Sequence, residues 1–408
     1  MSGASSTPPP QPASSTTLEA YSGPSLDTIT SLVSSQFQVK DAFLDPNGIP
    51  TFVIQSESTK HEFLRLVERL KEQGLIAAIR ATGETLTIKV FQKPQARRSR
   101  LKINLGFFLA TVLTVTIAGF YVWDQEIPGI FLPDPVLSQY NAIVSPGANA
   151  FLEALIFTAS LLAIIGLHEF GHKATTVYHK LDATFPYFVP GPPPIGTFGA
   201  LISLKGPPTN RDQLFDLGLS GPVVGFVVTI VVGLAGLLIG PSLNPTNIPQ
   251  LTSWTPTCIA KYGASVCTSG LTFPSSPLVL VFLSDLANII NPSALGNHQL
   301  LFAAQIGALL TFLNIVPAWQ LDGGHISRAV FGSYGHRIAT FIGLGLLIYS
   351  GFFFFAILVL VMMMLSGRGF AGVEPLDDVS PVSNSRKVLY LVGLAMLVLT
   401  FAYSPIQL

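Results

Sequence analysis

The chain has 408 residues, of which 49% are hydrophobic and 11% charged, with a mean hydropathy of +0.54; a soluble domain carries about 25% charged residues. Nearly half of its charges fall in the first quarter of the chain, which excludes a wholly soluble enzyme and leaves a small charged domain ahead of a polytopic membrane domain. Net charge is zero, so no basic excess recommends nucleic acid as a partner, and two cysteines exclude a disulfide scaffold or a Cys-rich metal module.

Residues 1–24 are rich in Ser, Thr and Pro and predict a disordered tail. They lack the basic and apolar regions of a signal peptide, and the absence of arginine before Arg65 argues against a transit peptide. Residues 25–95 read as a soluble α+β domain in the order αββαββ. Leu26, Ile29, Leu32 and Val33 mark a short helix. A hairpin is expected around Asp45-Pro46-Asn47-Gly48. Thr59 and Glu62 have capping-box spacing, and Phe63, Leu66, Val67 and Leu70 form the apolar face of a second helix. Strands around Leu75–Arg80 and Thr85–Phe91 close the domain, whose role reads equally as regulation, substrate gating or solubilisation.

From residue 96 the chain reads as a membrane domain. The basic flank 96–102 precedes the apolar run 103–123, long enough to span the roughly 30 Å hydrocarbon core. Its charge places the N-terminal domain on the cytoplasmic side of a cell membrane. Residues 124–150 form an outer loop, 151–177 return, and 214–239 cross outward. The outer loop 241–297 holds Cys258 and Cys267, suited to a local disulfide or two free thiols. Residues 300–317 cross inward. The run 338–365 reads as one tilted helix in preference to a hairpin broken at Ser350-Gly351, and 388–403 is the last crossing. This gives six transmembrane helices and a cytoplasmic C-terminus, but leaves Arg368, Arg386 and Lys387 outside, against the positive-inside rule.

Within the second span lies His168-Glu169-Phe170-Gly171-His172. Two histidines four residues apart project from one helix face, as two imidazoles sharing a zinc ion must, and Glu169 sits about 100° around the helix, placed to act on water without being a ligand. Two histidines and a carboxylate are costly to bury in an apolar span without a purpose. A zinc site needs a third protein ligand and an open position. Asp322, in Asn314-Ile-Val-Pro317-Ala-Trp-Gln-Leu321-Asp322-Gly323-Gly324, supplies it: Pro317 ends the fourth span at a similar depth, and the two glycines permit close backbone approach. The alternative is an Asp capping the helix that begins near His325.

HExxH in one span and N-x-x-P-x-x-x-L-D-G in a later one resemble the site-2 protease family of intramembrane zinc metalloproteases. Gly196-Thr-Phe-Gly199-Ala-Leu-Ile-Ser203 and Gly221-Pro222 add to the likeness, which covers a catalytic core of about 150–335 within 96–408 and is nearest the archaeal and chloroplast-type members without a PDZ domain. The resemblance implies one Zn²⁺ per chain held by His168, His172 and Asp322, Glu169 as general base and acid, and Asn314 orienting Asp322 or stabilising the oxyanion. The implied partners are membrane proteins with a transmembrane segment, and the lipid bilayer. Gly191–Ser203 has too many Pro and Gly for a helix and predicts a hairpin or loop beside the zinc whose edge pairs with an unwound substrate; a proline-capped surface loop is the alternative. His179 and His298 read as interfacial, His325 as within reach of the site, His336 and Arg337 as the end of the fifth span. Phe352–Phe355 reads as a lipid-facing or packing patch, and Asp212 and Asp216 as caps of the third span. The main expectation is an intramembrane endopeptidase acting in regulated proteolysis. A catalytically silent adaptor of the same fold is the alternative, disfavoured by the intact site residues. A metal transporter is disfavoured by the lack of an internal repeat.

Overall fold

The computed structural model describes residues 24–56, 59–83, 85–93, 101–124, 149–193, 195–239, 256–257, 260, 277–290, 298–366 and 369–402. The tail 1–23, the basic stretch 96–100, both cysteines and Arg368 lie outside the described residues. The chain forms two compact units, one of residues up to Gln95 together with Leu376–Ser380, the other of Ala96–Pro375 and Pro381–Leu408.

In the first unit, α1 (Leu26–Ser34) is capped by the Ser25 hydroxyl and buries Ile29 and Val33. β1 (Gln38–Leu44) and β2 (Pro50–Gln55) form the expected hairpin. Asp45 closes its turn by accepting from the amides of Asn47 and Ile49 at 2.9 and 3.0 Å, and Gly48 supplies the positive φ of 74°. After α2 (Lys60–Glu72) come β3 (Leu75–Thr82) and β4 (Thr85–Gln92), giving an antiparallel sheet in the order β1-β2-β4-β3. Alternation sends Leu75, Ala77, Ile79, Ile88 and Val90 inward against Phe63, Leu66 and Leu70 of α2.

A segment from the far end of the chain completes this core. Leu376 is buried in it, and its carbonyl accepts from the Ile79 amide at 2.9 Å and from the Arg80 guanidinium at 2.7 Å. The Thr59 hydroxyl is 2.8 Å from that of Ser380. This corrects the expected capping box: Thr59 occupies the N-cap of α2, yet its side chain makes no capping bond because the hydroxyl is turned to a partner 321 residues away.

The second unit is helical. α3 (Leu101–Asp124), α4 (Ala150–Tyr178) and α5 (Arg211–Ile239) are long and apolar enough to cross a membrane. Shorter helices follow: α6 (Leu278–Ile290), inside what the sequence suggested was an outer loop, and α7 (His298–Ile315). α4 packs against α3, α5 and α7, with Phe157, Leu161 and Ile165 meeting Val115, Phe302 and Ile306.

The run 338–365 is not one helix. α8 (Asp322–Tyr349) is kinked at Gly332, whose φ is +71°, and ends at Ser350. Gly351, at φ +88°, turns the chain into α9 (Phe353–Leu365), while the amide of Phe352 bonds back to the Leu347 carbonyl. Leu344 and Leu347 share a buried cluster with Ala356, Val359 and Met363, so the chain doubles back. α10 (Asn384–Leu399) is the last helix described.

Between α4 and α5 the Gly/Pro-rich stretch forms a hairpin of β5 (Tyr187–Pro190) and β6 (Thr197–Leu201). Asn104 of α3 donates to the Phe185 carbonyl ahead of β5, and Thr114 donates to the Gly196 carbonyl at the turn, 2.7 Å away. Those two α3 positions are ten residues apart, so the hairpin runs about 15 Å along the helix. Phe188 and Ala200 pack with Ile165 of α4, one turn before His168.

Candidate metal centre

The C-terminal third of α4 carries His168, Glu169 and His172, and the helical spacing brings the two imidazoles together with Nε2 atoms 3.1 Å apart. Asp322, the first residue of α8, points its Oδ2 at both, 3.3 Å from His168 Nε2 and 3.4 Å from His172 Nε2. Ligands about 2.0–2.1 Å from a tetrahedral zinc lie about 3.3 Å from one another. Two nitrogens and one carboxylate oxygen at that mutual spacing are a donor set fit for zinc, and they are the only such group of three among the described residues.

Asp322 arrives by an irregular route. Pro317 follows the end of α7, and Trp319 adopts a positive φ of 45°, unusual for a bulky side chain. Its amide is held by the Thr340 hydroxyl at 3.1 Å. The turn packs directly under the start of α8: a Cβ at Gly323 would collide with the Ile315 carbonyl, and one at Gly324 with that of Trp319. Both glycines after Asp322 are therefore required for close approach.

α5 forms the wall behind the site. A Cβ at Gly218 would lie 2.6 Å from the Asp322 carbonyl oxygen, one at Gly221 would overlap the His172 ring, and one at Gly225 would lie 3.0 Å from His168 Nδ1. His172 Nδ1 donates to the Leu217 carbonyl at 2.8 Å. Sequence reasoning noticed Gly221-Pro222 but not the stripe, although spacings of three and four place all three glycines on one helix face.

Glu169 is buried, at 6% exposure, beside His168. Asn314, near the end of α7, makes no hydrogen bond among the described residues, so it does not orient Asp322 by direct contact. His325 stands one turn beyond Asp322, with its Cβ against Gly218 and its Nδ1 buried without a partner among the described residues. His336 is fully buried and bonded to the Ser327 hydroxyl at 2.9 Å; the side chain of His298 lies outside the described set.

Asp212 and Asp216 do not cap α5; Asn210 does, accepting from the Gln213 amide at 2.9 Å. Asp216 instead receives Arg386 of α10 in a two-point pair of 2.7 and 2.5 Å, and His179 at 2.9 Å. Asp212 accepts from the Ser383 amide at 2.8 Å and lies 3.2 Å from Arg386. The start of α10 is thereby fixed beside the end of α4 and the start of α5.

Among known proteins, the model of peptidase family M50 matches residues 156–358. The chain is 27% identical over 312 residues to "Probable zinc metalloprotease EGY1, chloroplastic" of Oryza sativa subsp. japonica, covering 73% of this chain and 49% of the relative. The Arabidopsis thaliana protein of that name is 26% identical over 287 residues, covering 66% and 48%. "Probable zinc metalloprotease EGY2, chloroplastic" of Oryza sativa subsp. indica is 29% identical over 262 residues, covering 60% and 43%. The chain thus spans about half the length of the curated relatives it matches, and no solved structure matches it. Residues 156–358, which hold both histidines, the carboxylate and the glycine wall, belong to peptidase family M50, the family of the site-2 proteases.

Proposed function

We propose that this chain is an intramembrane zinc endopeptidase that hydrolyses peptide bonds within or near transmembrane segments of other membrane proteins, with His168, His172 and Asp322 as the metal ligands. The convergence of Nε2, Nε2 and Oδ2 at 3.1–3.4 Å carries this reading. A zinc ion held there supplies Lewis-acid polarisation of a peptide carbonyl and acidifies water. Glu169, adjacent to a ligand but not among the three converging atoms, takes the proton from the attacking water and returns it to the leaving amine. Asn314, free of any bond to Asp322, is left as a donor for the oxyanion.

A helical substrate hides its carbonyls, so it must unwind. The β5–β6 hairpin, held along α3 and packed with Ile165 one turn before His168, supports pairing with an extended segment as an added strand; Phe198 and Leu201 of β6 are 74% and 68% exposed.

Because the chain doubles back between α8 and α9, this reading returns Arg386 and Lys387 to the side of the basic flank 96–102, the cytoplasmic or equivalent side. That flank fixes a side, not an organelle; the relatives' names place those proteins in chloroplasts.

The test is metal content and cleavage together. Purified protein is expected to carry one zinc and cut a reconstituted transmembrane substrate. Glu169→Gln keeps the zinc and loses cleavage by a factor of 10² or more. Wild-type cleavage by that variant removes Glu169 from the mechanism.

A further inference from the structure

The ligands of a metal need orienting, and here the means is different for the two histidines. His172 Nδ1 is 2.8 Å from the Leu217 carbonyl oxygen. A carbonyl only accepts, so Nδ1 carries the hydrogen and the neutral ring presents the lone pair of Nε2, the atom that faces His168 and Asp322. His168 Nδ1 has no hydrogen bond among the described residues. His172 is the anchored ligand of the pair.

Two features of α5 and one of α4 make that anchor available. In a regular helix the Gly218 carbonyl would accept from residue 222, but Pro222 has no N–H, so the turn that follows Leu217 carries one helical hydrogen bond fewer. Gly221 removes the side chain that would occupy the place of the His172 ring. The two backbones also meet closely: a Cβ at Gly171 would lie 2.7 Å from the Ser220 carbonyl oxygen. Asp216, next to Leu217, is clamped by Arg386 and His179, so this turn is held from outside as well.

We propose that the Leu217–Pro222 turn of α5 is a positioning element for the metal centre: the Leu217 carbonyl selects the Nδ1–H tautomer of His172, while Gly221 and Pro222 make the carbonyl and the space accessible to the ring. The inference rests on reading the site as a metal centre, and it makes Gly221 and Pro222 positioning residues that act through His172.

Two measurements on the full chain in detergent test it. Metal competition against a chelator, with cobalt as a spectroscopic probe, compares wild type with Gly221→Ala, Pro222→Ala and the control Gly233→Ala. The control lies on the same helix with neighbours 3.2 Å from its added Cβ but away from the ligands. Gly221→Ala is expected to weaken binding about 10–100-fold, as loss of ligand orientation does, and to alter the cobalt spectrum. Pro222→Ala shifts both in the same direction, and the control stays within about twofold. A folded Gly221→Ala protein with wild-type affinity and an unchanged cobalt spectrum overturns the proposal. Nitrogen NMR of ¹⁵N-histidine in metal-free wild-type protein reads the tautomer directly. A hydrogen on His172 Nδ1, in the neutral or the imidazolium ring, supports the anchor even if Gly221→Ala fails to fold, and a ring whose only hydrogen is on Nε2 overturns it. Because this second reading needs no metal, failure of the wild type to bind zinc would sink the zinc reading alone.

Discussion

Arg386 offers the sharpest quantitative test of how the helices are arranged. It is the third residue of α10, where a cation opposes the helix macrodipole at a cost of about 0.3–1 kcal/mol, so its pairing must outweigh a local penalty. The pairing is strong in form: Nε to Asp216 Oδ1 at 2.7 Å, Nη2 to Oδ2 at 2.5 Å, and Nη1 to Asp212 at 3.2 Å. Exposed ion pairs contribute about 0.2–1 kcal/mol, and breaking a fully buried one costs about 3–5 kcal/mol. With the Arg386 and Asp216 side chains 23% and 22% exposed, the coupling should fall between these, at about 2 kcal/mol. A double-mutant cycle of Arg386→Met and Asp216→Asn, followed by equilibrium unfolding in mild detergent, measures it. Arg386→Met alone should be the more damaging single change. It takes the cation from Asp212 as well as from Asp216, whereas Asp216→Asn leaves Arg386 its Asp212 contact. Additivity within about 0.5 kcal/mol, the behaviour of independent sites, would show that α10 does not start beside α4 and α5.

Two further outcomes concern the N-terminal unit. Leu376→Ala should cost that unit about 2–5 kcal/mol, the range for truncating a buried leucine. Hydrogen exchange should show faster exchange of the Ile79 amide, which donates to the Leu376 carbonyl; unchanged protection would mean that the distant segment is not part of the sheet. The Asp45 carboxyl is held below its ordinary range, first by the bond from Lys89 at 2.7 Å and then by the Ile49 amide. The unfolded chain titrates higher, near about 3.9. The contribution is therefore complete above that value and disappears as pH falls through the lower folded one. An NMR titration of Asp45 should show the depressed midpoint, and Lys89→Met should raise it; a midpoint indifferent to Lys89 would refute the assigned cause.

What could be read in advance was whatever repeats over a few residues. The period of 3.6 put His168 and His172 on one face, and alternation placed the strands of the N-terminal sheet, because these follow from backbone geometry alone. Choices between distant partners were illegible. Thr59 has the right neighbours for a capping box, but Ser380 takes its hydroxyl. Asp212 and Asp216 look like caps until Arg386 claims them. Hydropathy failed at 338–365 for a related reason: a tight turn adds almost no polarity when a glycine at φ +88° makes the bend and the Ser350 hydroxyl bonds back to Leu346 at 2.8 Å. Such a turn hides its own polar groups, so an apolar run cannot distinguish one helix from two. The clue lay in the charges instead. A single helix over 338–365 left Arg386 and Lys387 on the wrong side, and that conflict vanishes when the chain doubles back at Gly351. In a polytopic chain whose turns satisfy themselves, the few remaining basic residues carry more topological information than the apolar runs between them.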